Sequence, residues 1–279
     1  MLEKKVCLDY NENEQCQIEI TDFVKREIKL IERLLGITAK YDKNLIERLL
    51  VSYKEKLNKM NIPSEKNKLI EQFVLNYSEN KWLSKYSEYV PLIENAALHF
   101  LNFNKYKKQL SENNKIYALM IDVIRGEFYP FYYLAFSLLD IVSRDVTLEI
   151  AKEFIDLSYK NNKNTIEKAE TVEEYAKSFY INDCPKTHNF VSMVEDGKYY
   201  LKITRCMWGD IYSDLPDLEL ASLLECYGDF AKMPYLNPNF VLTRTKTLVE
   251  GYPFCDFVYH DKRIVSEIKH PDDDFWKNF

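Results

Sequence analysis

The sequence predicts an α+β protein, a helical N-terminal half followed by an antiparallel ββαββ sheet domain. Three observations carry this. Apolar residues recur every three or four positions through roughly the first 160 residues. From Asn189 the period falls towards two. Asp196–Gly197 then stands between two β-rich runs, a short-range hairpin signal. The boundary is placed between a helical domain, 1–170, and an α+β ligand or catalytic domain, 171–279.

The helices follow in order. In "TDFVKREIKLIERLLG", Val24, Ile28, Ile31 and Leu35 form one stripe, with Thr21 as N-cap and Gly36 as the stop. Asp42 opens "DKNLIERLLVSYKEKL", where Leu45, Leu49, Tyr53 and Leu57 align. "LIERLL" occurs at 30–35 and at 45–50, which marks two similar amphipathic helices rather than a repeat architecture. A third helix starts in "IPSEKNKLIEQFVLNY" with Ser64 as cap, and further helical stretches cover 88–110, 115–125, 128–142 and 146–160. In the second half, "FVSMVEDGKYYLKITRCMW" gives two strands. "SDLPDLELASLLECYGDF" gives a helix with Pro216 in its first turn, Asp217 and Glu219 at its positive end and Gly228 near its close. "NPNFVLTRTKTLVEGYPFCDFVYHDK" gives a strand, a turn at Gly251–Pro253 and a last strand. Four antiparallel strands are expected after residue 188, and no more than one before residue 150.

Composition narrows the function classes. With 279 residues, 46% of them hydrophobic, the chain can bury a substantial core. The net charge of −6, with lysines interleaved among Glu and Asp, lacks the basic footprint of a nucleic-acid binder. The start "MLEKKVCLDYNENEQ" has no apolar signal region. "FYPFYYLAFSLL", 128–139, is too short to span a membrane. A cytoplasmic protein that binds a small molecule, and neither nucleic acid nor membrane, is expected. Only 6 glycines disfavour a phosphate-cradling loop, and no cofactor is called for.

Six cysteines, at 7, 16, 184, 206, 226 and 255, form no CxxC pair. Cys226 shares a helix face with Ser222 and Asp229. An acidic neighbour and a helix C-terminus both raise a thiol pKa. Cys206 ends its strand on the face of Lys202 and Thr204, with Arg205 opposite. Cys255 alternates with Phe257 and Tyr259 and so faces the core, whereas Asp256 shares a face with Val258 and His260. Either Asp256 lies on a solvated strand face or it holds His260 in one tautomer. His99 belongs to the core, and His188 and His270 fall in loops. A zinc site built from Cys206, Cys226 and Cys255 is conceivable, but three isolated cysteines do not make a ligand pattern, and no tightly bound metal is expected.

Taken together these segments resemble the L-2-amino-thiazoline-4-carboxylic acid hydrolase-like family. The likeness rests on Arg205–Cys206, Pro216–Asp217–Leu218, Cys226 to Asp229, Arg244–Thr245, and Gly251 with Cys255–Asp256–Phe257, over about 188–262. It implies a hydrolase that opens a cyclic amidine, 2-aminothiazoline-4-carboxylate, to N-carbamoyl-cysteine. The implied roles are a nucleophile from Cys206, Cys226 or Cys255, proton transfer by Asp229, Asp256 or His260, and a carboxylate clamp from Arg205 or Arg244. A fainter likeness is to the 4-vinyl reductase domain, a small-molecule sensor, through Glu225–Cys226 and Gly251 to Cys255. Its metal-binding members carry a further cysteine before the hairpin turn, where this chain has Thr245 and Thr247. That alternative is a binding module without catalysis.

Overall fold

A computed structural model describes residues 4–66, 80–110, 114–180 and 186–279. The body of the expected third helix and Cys184 lie outside the described residues. The α+β class holds. The four antiparallel strands expected after residue 188 are present, but three described strands, not at most one, precede residue 150, and the first of these joins the main sheet as its fifth strand. The chain divides into two compact units, residues 13–154 and residues 1–12 with 155–279. No helix among the described residues is long and apolar enough to cross a membrane.

The chain opens with β1 (Lys5–Cys7), which belongs to the sheet described below. The first helical unit starts with β2 (Gln15–Glu19), which runs directly into α1 (Ile20–Tyr41). Gly36 therefore does not stop this helix but lies inside it, and Asp42 closes it. α2 (Leu45–Lys59) follows, with Asn44 rather than Asp42 as its N-cap residue. Asp42 instead accepts the Asn44 amide in a tight turn between the helices. Next come α3 (Lys81–Lys85), α4 (Val90–Phe100) and α5 (Phe103–Tyr106).

The stretch expected to be helical at 115–125 begins instead as β3 (Lys115–Leu119), antiparallel to β2 with Ile18 opposite Ile116. Its residues alternate: Ile116 and Ala118 are buried, Lys115 and Tyr117 exposed. That period of two is what a helical reading misses over five residues. β3 continues without a break into α6 (Met120–Ser137), with Pro130 inside it. α1 packs on α4 and α6, and α2 on α6. A Cβ at Gly126 of α6 would come within 2.6 Å of the Phe23 ring, so this close crossing requires glycine. Phe23, Ile31, Leu34, Leu49 and Tyr53 are fully buried, each contributing about 1.5–3 kcal/mol of apolar burial. Glu27 is fully buried among them. Burial first, and the nearby Glu127 second, push its carboxyl well above the usual carboxylate range, against the opposing effect of Arg26.

α7 (Arg144–Asn161) carries the chain into the second unit, where α8 (Val172–Ser178) lies across the sheet. β4 (His188–Glu195) and β5 (Lys198–Cys206) form the hairpin expected at Asp196–Gly197, with positive φ at both turn residues. After β5 come α9 (Met207–Tyr212), α10 (Leu218–Glu225), α11 (Gly228–Ala231) and α12 (Met233–Leu236). Asp217 caps α10 by accepting the Leu220 amide, and Gly228 starts α11 rather than ending a helix. β6 (Phe240–Thr243), β7 (Cys255–Asp261) and α13 (Asp273–Asn278) complete the chain. Sheet order is β1-β4-β5-β7-β6, with every pairing antiparallel.

Both faces of this sheet are covered. Phe190, Tyr199, Leu201, Ile203, Leu242, Cys255, Phe257 and Tyr259 form the core on the helix side, against Tyr175 and Phe179. The other face carries Tyr200, Lys202, Asp256, Val258 and His260, and the C-terminal tail lies over it through Phe275 and Trp276. Every residue of β7 is buried as a result.

Candidate functional site

On the helix side, Arg244 follows β6 and projects into the core. Its side chain is 7% exposed, its Nη1 donates to Asp229 Oδ2 at 2.9 Å, and its guanidinium lies between the rings of Phe230 and Phe257, 5.0 Å from each. Lys232 reaches the other oxygen of Asp229 at 3.3 Å. Asp229 is thus held by two cations. Cys226 lies one turn earlier, and the backbone amide of Asp229 donates to its carbonyl. Cys255, on β7, accepts the amide of Leu248 on its sulfur at 3.2 Å.

Cys206 joins this cluster for a reason the strand period hides. β4 pairs Phe190 with Ile203 but Asn189 with Arg205, so Thr204 is an extra residue in β5. Such a bulge reverses the alternation beyond it. Cys206 therefore packs against the helix-side core and not on the face of Lys202, which corrects the expected placement. Charge on Cys255 would raise the pKa of both Cys206 and Cys226, so the three thiols share one neighbourhood. Burial dominates each. It pushes Cys206 and Cys226 well up, and it takes Cys255 up to about 12, although the Leu248 amide and Arg244 act the other way. All three are neutral thiols at physiological pH.

Across the sheet stands a second cluster. Asp256 is fully buried, which overturns the solvated-face reading. Its Oδ1 accepts the amides of Thr245 at 2.8 Å and Lys246 at 2.7 Å. Its Oδ2 accepts the Thr245 hydroxyl and lies 3.0 Å from His270 Nε2. Burial raises its pKa, but the bonds from His270, the Thr245 hydroxyl and the two amides outweigh that and hold the carboxyl below its usual range. A bare imidazole nitrogen facing a carboxylate is repulsive, so Nε2 of His270 carries a proton for Asp256, and the Trp276 indole N–H, 3.3 Å from the same nitrogen, then has no lone pair to donate to there. In the neutral ring Nδ1 then accepts the Thr243 hydroxyl at 3.0 Å, and Thr243 Oγ1 accepts from His260 Nε2 at 3.0 Å. Asp256 and His260 are therefore linked through His270 and Thr243, not directly. Burial, helped by Lys198 and His270, lowers His260 to about 4, so it is neutral at physiological pH.

The sequence-derived residues thus sort onto two faces. Cys206, Cys226, Asp229, Cys255 and Arg244 stand together on the helix side, and Asp256 and His260 on the tail side. Arg205 joins neither. Its guanidinium covers the Tyr10 ring at 3.9 Å and pairs with Asp210 at 3.3 Å on the surface. His270, Thr243 and Lys232 were not singled out from the sequence. A usable signal for His270 was its place two residues before Asp272, which caps α13 by accepting the Phe275 amide. A polar groove of about 620 Å³ lined by His270, Lys198 and Lys269 opens beside the tail. Among the described residues, no group of three or more His, Cys, Asp or Glu is placed to hold a metal ion.

Residues 127–259 match the family of L-2-amino-thiazoline-4-carboxylic acid hydrolase. The matched segment starts in α6, well before the 188–262 stretch whose motifs carried the resemblance in the sequence, and it ends one residue short of His260. It contains all three clustered cysteines with Asp229, Arg244 and Asp256, and excludes His270. The match supports a hydrolase-like function at the level of the family. No curated protein and no solved structure matches the chain.

Proposed function

We propose that the chain hydrolyses a C–N or C–S bond in a small cyclic amidine or amide-type substrate, in the manner of 2-aminothiazoline-4-carboxylate ring opening. One observation supports this above others: a nearly buried guanidinium, Arg244, paired with Asp229 beside Cys226 and Cys255, all within the family-matched segment. Arg244 offers a fork for the substrate carboxylate. The amidine carbon would sit near Cys226 and Cys255, and Asp229, a carboxylate whose charge acts on both thiols, would receive a proton. In net terms one water adds to the ring carbon between N and S, the C–S bond breaks and the sulfur leaves as a thiol. Because the resting thiols are neutral, nucleophilic attack by either requires proton transfer as substrate binds.

The test is incubation of the full chain with 2-aminothiazoline-4-carboxylate, with N-carbamoyl-cysteine followed by mass spectrometry. Turnover that is lost in Arg244→Met and in Cys226→Ala or Cys255→Ala supports the reading. Undiminished turnover in all three variants, or none in the parent chain, refutes it. The raised thiols favour a second reading, a small-molecule sensor domain without catalysis. It predicts saturable binding of the same compound with no product.

A further inference from the structure

The tail side of the sheet presents a clamp of two lysines about one aromatic ring. The ammonium groups of Lys202 and Lys246 lie 4.8 and 5.2 Å from the centroid of Phe254. Both are engaged by the chain's own C-terminal tail. Lys202 Nζ donates to the carbonyl of Trp276, and Lys246 Nζ pairs with the carboxylate of Asp273. The Trp276 indole is fully buried, 6.3 Å from the Phe254 ring and 5.7 Å from His270. Tyr200 extends the aromatic floor beneath Phe275, at 5.1 Å. The clamp therefore holds an aromatic ring, a carboxylate and a carbonyl, all supplied in cis.

Two features make this occupant displaceable. Lys202 is matched with a neutral carbonyl, and among the described residues it has no carboxylate partner. A carboxylate in place of that carbonyl would add the attraction of opposite charges to the ammonium's hydrogen bond. The tail is also weakly tied by its own backbone. Residues 262–272 have no helix or strand, α13 is six residues long, and the Asp273 side chain is 69% exposed. Segments with few backbone bonds open more readily than sheet or long helix, and the cost of opening here is set chiefly by exposing the Trp276 indole.

We propose that this face is a binding site for small aromatic carboxylates, and that Trp276 and Asp273 of the tail occupy it as a resident competitor. The ligand's ring takes the indole position against Phe254, and its carboxylate spans Lys202 and Lys246. The site lies on the opposite face from the thiols and does not depend on the hydrolase reading, because binding is measured without turnover.

Indole-3-acetate is the probe, with indole and acetate as the two half-ligand controls, titrated into the full chain by calorimetry. A resident competitor reduces the apparent affinity in proportion to the fraction of open molecules, so Trp276→Ala should bind the probe about tenfold more tightly than the parent. Adding Lys202→Met to that variant should lose the gain. In the parent chain, the probe should raise hydrogen exchange over residues 270–279. Where Trp276→Ala does not fold, Asp273→Asn, at an exposed position, carries the same expectation by releasing Lys246. Equal affinity in parent and tail variants, indole binding as well as indole-3-acetate, protection of the tail on binding, or no binding in any folded variant would each overturn the proposal.

Discussion

Replacing Asp256 by alanine tests whether this carboxylate braces the sheet or exists for chemistry. Its two oxygens take the Thr245 and Lys246 amides, the Thr245 hydroxyl and His270 Nε2, and the residue is fully buried. Hydrogen bonds to a charged group are worth roughly 1.5–3 kcal/mol each, and losing an acceptor leaves its donors unpaired. Thr245 is exposed, so its hydroxyl recovers water. The two amides and His270 do so less well. Asp256→Ala should therefore destabilise by roughly 4 kcal/mol, a fall in melting temperature on the order of 10 °C. Asp256→Asn keeps an oxygen for the two amides but turns an NH₂ towards the other donors, and should cost about half as much. The pH dependence has a definite sign. The folded-state pKa of Asp256 is depressed, so its contribution is fully present above the unfolded value of about 3.9 and is lost as pH falls through the lower folded value. The parent chain should thus lose stability on acidification below about pH 4 more steeply than Asp256→Ala. Urea titrations followed by circular dichroism across that range decide it. An alanine variant within about 1 kcal/mol of the parent, with an unchanged acid limb, would refute the bracing argument.

Four further outcomes follow from the same structure. Arg244→Met leaves Asp229 with Lys232 alone and should cost about 3 kcal/mol in a urea titration, as breaking a buried ion pair does. Cys206, Cys226 and Cys255 should react with iodoacetamide at neutral pH at least about tenfold more slowly than free cysteine; mass spectrometry showing any of them faster than free cysteine would reverse the assignment of neutral thiols. Cys255→Ala should cost about 1 kcal/mol, and Cys255→Ser more, because a hydroxyl replaces a sulfur in the core. Glu27 has a raised folded pKa, so the stability tied to its proton is present below the unfolded carboxylate value and lost as pH rises through the folded one. Glu27→Gln should therefore flatten the decline in urea midpoint towards alkaline pH, and an unchanged slope would count against a buried, protonated Glu27.

What the sequence determined by itself is what depends on short-range order. Helical periodicity located α1, α2, α6 and α7, because side chains three and four apart share a face whatever the rest of the chain does. Asp196–Gly197 marked the hairpin because two successive positive-φ residues are a local requirement. The family likeness was legible because its motifs are contiguous. Tertiary structure decided everything that needed a distant partner. β1, β2 and β3 are three to five residues long, and such strands exist only by pairing with β4 or with one another. The bulge at Thr204, which carries Cys206 to the helix side, is a property of two strands in register and not of either alone. Asp256 and Cys255 are adjacent in sequence, and the strand period alone sends them to opposite faces. That the Asp256 face is dry follows only from the tail that folds back over it, bringing His270 to the carboxylate and Trp276 to Lys202. Burial is a property of the assembled layers, and burial is what raises these thiols further from ionisation and makes this carboxylate a brace.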